Sequence, residues 1–134
     1  MSSGEVNKKH IHYTDDKISN DGYKNSSATW LKTKSVLVAL AGQGKTRGTV
    51  AVNELPLTTN QSIAGIEPIE DYSYLFIFSN LEGKYRDLRE ASSGDGTRGG
   101  LNKKILEAFK LNFPSPTEQT KIGALFSHID SLIA

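Results

Sequence analysis

The sequence predicts an α+β fold, because short β-branched runs occupy its first half and helical patterns occupy its second half. Residues 35–40 (SVLVAL) form an apolar run of strand length, and residues 49–55 (TVAVNEL) place valines in near alternation. Residues 61–68 (QSIAGIEP) indicate a third strand, which Pro68 closes. At 134 residues the chain has the length of one domain with a real core.

Helices are expected in the second half. Residues 70–92 carry aromatic and leucine side chains at helical spacing, which favours a helix, with a strand over Tyr72 to Phe78 as the alternative. Residues 101–111 indicate a short amphipathic helix. Between these two helices, residues 92–100 (SSGDGTRGG) are expected to form a glycine-rich loop, and the prolines of residues 112–116 (NFPSP) require an extended chain. The polar N-terminal part is expected to be loops, with one short strand around residues 10–13.

The last segment of the chain is predicted to be an amphipathic helix of about 27 Å. Ser115, Pro116 and Glu118 form a capping box with proline in the first helical turn, so Glu118 is expected to cap the helix rather than catalyse. Behind the box runs one apolar stripe: Ile122, Leu125, Phe126, Ile129, Leu132 and Ile133. An isolated helix of this length is only marginally stable in water, so its apolar stripe is expected to pack against other residues. The stripe is therefore either part of the intramolecular core or a docking surface for a partner helix.

Composition indicates an ordinary water-soluble domain. Hydrophobic residues make up 37% of the chain and charged residues 23%. The lack of cysteine excludes disulfides and thiolate metal sites and fits a reducing compartment. No apolar run reaches the roughly 20 residues of a membrane-spanning helix, and the N-terminal residues do not have the apolar segment of a signal peptide. We therefore expect a cytoplasmic protein without a membrane partner.

Residues 39–48 (ALAGQGKTRG) have the spacing of a phosphate-binding loop, with Ala39, four residues, and then Gly44, Lys45 and Thr46. In such a loop, backbone N–H groups and the N-terminus of the following helix converge on the phosphates. The residues after Thr46 are RGTVAVNEL, whose alternating valines predict a strand instead. A small P-loop-like nucleotide-binding protein therefore stays as an alternative function.

A strand–turn–strand hairpin suits a different ligand. Its turn would expose Gln43, Lys45, Thr46 and Arg47 on a backbone that glycines allow to approach a duplex closely. Glutamine pairs with adenine and arginine with guanine in the major groove, whereas lysine and threonine bind phosphates. These four residues are predicted to contact DNA, and a polar surface hairpin without a ligand is the alternative.

Four more polar residues are candidates for DNA contact. Arg98 and Lys103 lie in or beside the second glycine-rich segment and are candidate phosphate contacts, with a solvated loop as the alternative. Asn60 and Gln61 either reach bases or hydrogen-bond the backbone of their own turn. The net charge of +1 neither favours nor excludes a nucleic-acid partner.

Aromatic and histidine residues are expected to be structural. Trp30 and the tyrosines are predicted to be core residues rather than platforms for base stacking. His10 and His12 project to the same side of a strand, but no third ligand is near them in the sequence. No metal site is therefore predicted.

The second half of the chain resembles a known family. A short helix is followed by an extended L-x-F-P-x-P and then by the pattern E-Q-x-K-I ending in D-x-x-I. The matching residues are Leu111, Phe113, Pro114, Pro116, Glu118, Gln119, Lys121, Ile122, Phe126, Ile129, Asp130 and Ile133. Together with the strand, glycine turn and strand upstream and the Asn60–Gln61 pair, this pattern resembles the specificity subunits of type I restriction-modification systems.

The resemblance implies a mixed-sheet target recognition domain that reads one half of a bipartite DNA sequence and has no catalytic centre. Methyl transfer from S-adenosylmethionine to adenine would belong to modification subunits, and ATP- and Mg-dependent cleavage to a restriction subunit. A fragment that keeps the docking helix without binding DNA is a further alternative.

The resemblance also divides the chain into two parts. Residues 1–114 correspond to a recognition domain, one that starts late by comparison with the family, and residues 115–134 to the start of the spacer helix. The chain is expected to be a half-subunit, a gene fragment or a trimmed piece. A half-subunit would pair with a second copy about a two-fold axis.

Overall fold

A computed structural model of the protein describes residues 1–92 and 100–133. Its strands are β1 (His10–Ile11), β2 (Thr29–Leu31), β3 (Val36–Ala39), β4 (Val50–Asn53), β5 (Leu57–Thr59) and β6 (Ile63–Ile66). Its helices are a 3-10 helix (Ser3–Lys8) and five α-helices, α1 (Asn20–Lys24), α2 (Tyr74–Gly83), α3 (Tyr85–Ser92), α4 (Lys103–Glu107) and α5 (Pro116–Ile133).

The strands form two sheets. The larger sheet has the order β1-β4-β3-β6, in which β1 runs parallel to β4 and the other neighbours are antiparallel. The smaller sheet is the antiparallel pair β2-β5. The α+β fold with a mixed sheet is therefore confirmed.

The central strands β3 and β4 are buried along their whole length because both faces of the larger sheet are covered. Val36 pairs with Val52, and these side chains join a core built with the helices, which includes Phe78 of α2. Leu37 pairs with Ala51 and faces the other core, built with the smaller sheet and the 3-10 helix. Burial on both faces explains why valines continue without strict alternation.

Helix α5 crosses α2 at close range. Gly123 faces Leu75 and Phe76, where an added Cβ would lie 2.8 Å from the Cβ of Leu75. Gln119 is buried and bonds the turn before α2: its amide nitrogen donates to the carbonyl oxygen of Asp71 at 3.1 Å, and its amide oxygen accepts from the N–H of Ser73 at 3.0 Å. These two residues fix the start of α5 to the rest of the domain.

The three strands predicted at residues 35–68 are confirmed as β3, β4 and β6, and the helices of residues 101–111 and of the last segment as α4 and α5. The helical pattern of residues 70–92 is confirmed in type, but it forms two helices, α2 and α3, which separate at Lys84. The capping box is confirmed, because the N–H of Ser115 donates to the Glu118 carboxylate at 3.0 Å and the N–H of Glu118 donates to the Ser115 hydroxyl at 3.4 Å. The sequence patterns did not predict β2, β5, α1 and the 3-10 helix.

The expectation that Trp30 and the tyrosines are core residues is wrong for several of them. Trp30 is 55% exposed, and Tyr13, Tyr23 and Tyr72 are also exposed. Trp30 alternates with the buried Leu31 on a two-stranded sheet that has one covered face, so its indole points to solvent.

Candidate nucleic-acid interface

The glycine segment connects β3 to β4 as the turn of an antiparallel hairpin. A strand, β4, begins four residues after Thr46, and the next helix along the chain begins only at Tyr74. In a Walker A loop the N-terminus of the following helix points at the phosphate. Here a strand follows the loop instead, so no helix N-terminus comes directly after it. The prediction of a strand after Thr46 is confirmed, and the nucleotide-binding alternative gains no support.

Positive backbone angles explain the glycines of the hairpin. Gly42, Gly44 and Gly48 have φ angles of 134°, 61° and 86°, a region that side chains with a Cβ avoid. At Gly42 an added Cβ would lie 2.6 Å from the γ-carbon of Thr46. Gly48 is buried against α3, where a Cβ would lie 3.4 Å from Cγ of Arg89.

Helix α3 holds the backbone of the hairpin turn. The hydroxyl of Tyr85 donates to the carbonyl oxygen of Lys45 at 2.9 Å. The guanidinium of Arg89 donates to the carbonyl oxygens of Gly44 at 2.9 Å and Arg47 at 3.2 Å. This role of Arg89 was not predicted from the sequence. The available signal was the i, i+4 spacing, which places Tyr85 and Arg89 on one helix face.

The predicted DNA-contacting residues of the turn differ in exposure. Gln43 and Lys45 are exposed, whereas Thr46 and Arg47 are partly buried. The hydroxyl of Thr46 accepts a hydrogen bond from the amide of Asn7 at 3.2 Å. The turn therefore presents one amide and one ammonium group to solvent on a backbone with fixed carbonyls.

A pocket of about 300 Å³ lies beside the turn, between the 3-10 helix, β4 and α3. Its lining includes Val6, Val50 and the ring of Tyr85, with Lys45 among its polar residues. Lys9, also in the lining, pairs with Glu82 at 2.5 Å, and this hydrogen bond raises the pKa of the lysine. The charge of Lys9 is thereby balanced by the neighbouring carboxylate of Glu82.

The residues Asn60 and Gln61 form a turn beside the hairpin. The side-chain oxygen of Asn60 accepts from the N–H of Ser62 at 3.0 Å and also from the Ser62 hydroxyl. The backbone-bonding alternative for Asn60 is thus the one that these contacts support. Gln61 is exposed and its amide oxygen accepts from the hydroxyl of Ser27 at 3.5 Å. The N–H of Leu40 donates to the carbonyl of Ser62 at 2.8 Å, which brings the turn against the start of the glycine segment.

The second group of candidate cations is only partly described. Lys103 is the exposed first residue of α4, which packs against α3. Asn102 caps this helix by accepting from the N–H of Ile105 at 2.9 Å. Arg98, with most of the predicted glycine-rich loop, lies outside the described residues.

The apolar stripe of α5 changes from partly covered to open along the helix. Ile122 is partly buried, but Leu125, Phe126, Ile129 and Leu132 are exposed, with Leu132 at 72%. Beyond the crossing at Gly123, the described parts of the chain therefore do not cover this stripe.

The histidines of β1 and its flank do not belong to a larger cluster of metal ligands. Across the described residues, no three His, Cys, Asp or Glu side chains are grouped to hold a metal ion. The Nδ1 atom of His10 lies 3.2 Å from the carboxylate of Glu54, and the rings of His10 and His12 stack at 6.5 Å. No helix within residues 1–92 and 100–133 is long and apolar enough to span a membrane.

The chain is similar in sequence to DNA specificity proteins of type I restriction systems. Residues 2–134 match the family model described as Type I restriction modification DNA specificity domain. The chain is 34% identical over 90 residues to the type I restriction enzyme MjaIX specificity subunit of Methanocaldococcus jannaschii. The aligned region covers 64% of this chain and 20% of that protein. The chain therefore spans about a fifth of the length of this relative.

Two solved structures share the fold at 18% sequence identity. The HsdS subunit from Thermoanaerobacter tengcongensis aligns with a TM-score of 0.62 over 78% of this chain and 24% of that chain. A chain from a structural study of complex assembly and conformational transition of the type I R-M system aligns with a TM-score of 0.64 over 78% and 25%. The chain thus belongs to the family of type I restriction-modification DNA specificity domains.

Proposed function

We propose that this chain recognises DNA sequence as part of the specificity subunit of a type I restriction-modification system. The observation that carries the proposal is the glycine hairpin, in which Tyr85 and Arg89 fix the backbone while Gln43 and Lys45 are exposed. To read bases, hydrogen-bond donors and acceptors must be held in fixed positions relative to the duplex. A turn whose backbone carbonyls are hydrogen-bonded holds its side chains in this way. The family match over residues 2–134 supports the same function.

The chain acts, in this proposal, as a recognition component without catalytic residues. Modification subunits would bind S-adenosylmethionine and methylate adenine, and a restriction subunit would use ATP and Mg²⁺ for cleavage. The chain would aim these activities at its half of a bipartite site. A second half-subunit copy, paired about a two-fold axis, would supply the other half.

The modification subunits would dock on α5. Leu125, Ile129 and Leu132 recur at helical spacing and are exposed, so they form an apolar surface suited to a partner helix. We expect Leu125→Asp to abolish capture of a purified modification subunit, because the substitution places a charge within that apolar surface. The matched control is Ala124→Asp, an exposed position on the other side of the helix, which should leave capture unchanged.

DNA binding is tested by fluorescence anisotropy of labelled random-sequence duplexes at several salt concentrations. We expect binding that weakens with salt and is unaffected by ATP. Lys45→Ala should weaken binding and lower the salt slope by about one, as expected for the loss of one phosphate contact. Lys110→Ala removes an exposed lysine far along the chain and serves as the control.

The same titration distinguishes the alternatives. Displacement of DNA by ATP, or ATP binding that Lys45→Ala abolishes, would support a nucleotide-binding loop. A folded chain that binds no duplex at low salt would contradict the proposed DNA recognition and leave the docking function of α5 as the remaining activity.

A further inference from the structure

The net charge of +1 conceals an uneven distribution of acidic residues. Residues 22–66 contain five cations and a single acid, Glu54, and so carry a net charge of +4. The rest of the chain contains eleven cations and fourteen acids, a net charge of −3. Residues 22–66 supply β2 to β6, the glycine hairpin and the turn at Asn60 and Gln61. The five cations lie outside the strands: Lys24 ends α1, Lys32 and Lys34 precede β3, and Lys45 and Arg47 lie in the hairpin turn. Lys32 pairs with Glu67 at 3.9 Å. Local charge of this kind attracts a polyanion even when the whole protein is near neutral.

Contacts connect the glycine hairpin to a second exposed segment, residues 23–30. The N–H of Leu40, at the start of the glycine segment, donates to the carbonyl oxygen of Ser62 at 2.8 Å. Gln61, which precedes Ser62, accepts from the hydroxyl of Ser27 at 3.5 Å. The start of the hairpin is therefore adjacent to the turn, and the turn is adjacent to the second segment.

The second segment, residues 23–30, offers groups that suit a nucleic acid. Every residue in it except Ala28 is exposed, and it contains no acid. Lys24 supplies a cation for phosphate oxygens. The hydroxyls of Ser26 and Ser27 already donate within the chain, to the carbonyl oxygen of Tyr23 and to the Gln61 amide oxygen. Trp30 adds an indole that is 55% exposed, on β2 opposite Thr58. An exposed tryptophan is a frequent anchor of binding surfaces.

The charges around Trp30 favour DNA over a protein as its binding partner. The segment is acid-free and continues into the positively charged hairpin, a pattern that complements phosphates. Asp16 and Lys17 both line the surface depression beside Trp30, so one acid and one cation lie on that side of the indole.

We infer that the DNA-contacting surface extends from the glycine hairpin, across the turn at Asn60 and Gln61, to Lys24 and Trp30. Lys24 binds a backbone phosphate, and Trp30 packs against the sugars or base edges of the same duplex. The inference rests on the proposed DNA recognition and adds a second contact segment to it.

Trp30 is the only tryptophan of the chain, so its fluorescence reports this segment alone. Labelled duplex is titrated with the protein, and anisotropy of the label and emission of Trp30 are followed in parallel. We expect both signals to saturate at the same stoichiometry. Quenching of Trp30 by acrylamide, a neutral quencher that does not alter ionic strength, should fall several-fold in the complex.

Two variants complete the test. Lys24→Ala should weaken duplex binding about threefold to tenfold and lower the salt slope by about one, with Lys110→Ala as the unchanged control. Trp30→Ala should weaken binding about tenfold, and Trp30→Phe should restore part of the loss. Circular dichroism of each variant checks that the fold is kept.

The outcomes separate this inference from the proposed function. DNA binding by anisotropy with unchanged Trp30 emission and quenching would overturn the inference and leave DNA recognition by the hairpin intact. A Trp30→Ala variant that binds DNA normally but no longer binds a modification subunit would assign the surface to a protein and also overturn it. Absence of any duplex binding would overturn both.

Discussion

The guanidinium of Arg89 donates to the carbonyl oxygen of Gly44 at 2.9 Å and so links α3 to the tip of the hairpin turn. Gly44 has a φ angle of 61°, and an added Cβ there would meet no other atom within 4 Å. The tip of the turn is therefore open on its outer side and held from within. Arg89 acts on the turn backbone, while Gln43 and Lys45 face solvent.

This arrangement predicts that Arg89→Ala weakens DNA binding through the order of the turn. The variant loses two charge-assisted hydrogen bonds to backbone carbonyls, and the turn must be ordered when DNA binds. We expect about a tenfold loss of affinity with faster amide hydrogen exchange in residues 43–47. Arg86→Ala, an exposed neighbour in α3, is the control and should leave the exchange unchanged. Equal exchange in both variants would contradict a positioning role.

Gly48→Ala should destabilise the domain by about 1–2 kcal/mol, because an alanine at a φ of 86° is strained. The added Cβ itself would lie in ordinary van der Waals contact with Cγ of Arg89, at 3.4 Å, so the strain comes from the backbone angle. Urea unfolding followed by circular dichroism measures the change. Gly83→Ala is the matched control: it lies at the end of α2 with open space around it and should be neutral or slightly stabilising.

Gln119→Ala should be among the more damaging single substitutions, at about 2–4 kcal/mol. Gln119 is buried, and its removal leaves the carbonyls of Asp71 and Pro114 and the N–H of Ser73 without this partner. Thermal or urea unfolding measures this loss in the free energy of unfolding. Thr120→Ala, exposed on the next position, should change stability by less than about 0.5 kcal/mol. Similar effects of the two substitutions would show that Gln119 does not attach α5 to the domain.

The capping box makes a prediction about pH. The hydroxyl and the N–H of Ser115 hold the pKa of Glu118 below its ordinary value of 4.5. Because the folded pKa is lowered, the ionised side chain stabilises the fold above pH 4.5, and this contribution is lost as pH falls through the lowered pKa. The stability difference between the wild-type protein and Glu118→Gln should therefore shrink on acidification. In Ser115→Ala, NMR titration should place the pKa of Glu118 closer to 4.5, and an unchanged titration would refute Ser115 as the cause of the lowered pKa.

The main elements could be predicted from sequence because each one carries a local signal. The runs of β3 and β4 have strand composition, and the box at Ser115 and Glu118 marks the start of α5. Strands β2 and β5 have three residues each, so their identity depends on mutual pairing and not on a period that the sequence displays.

Only part of the candidate site could be predicted from the sequence. The turn residues Gln43 and Lys45 stand out by composition, but the support from Tyr85 and Arg89 joins residues about forty positions apart. The buried Gln119 resembles any polar helix residue until its contacts are known. The prediction for Trp30 was wrong because large aromatic side chains are usually buried, and only the pairing of β2 with β5 shows which face it occupies.

Base reading by the hairpin is tested by selecting bound duplexes from a random pool and sequencing them. If the hairpin reads bases, the wild-type chain enriches a short half-site, Gln43→Ala loses preference at one position of it, and Lys45→Ala enriches the same sequence with lower affinity. If all three proteins enrich the same sequence with the same affinity, or none enriches any sequence while binding DNA, the hairpin does not carry the recognition.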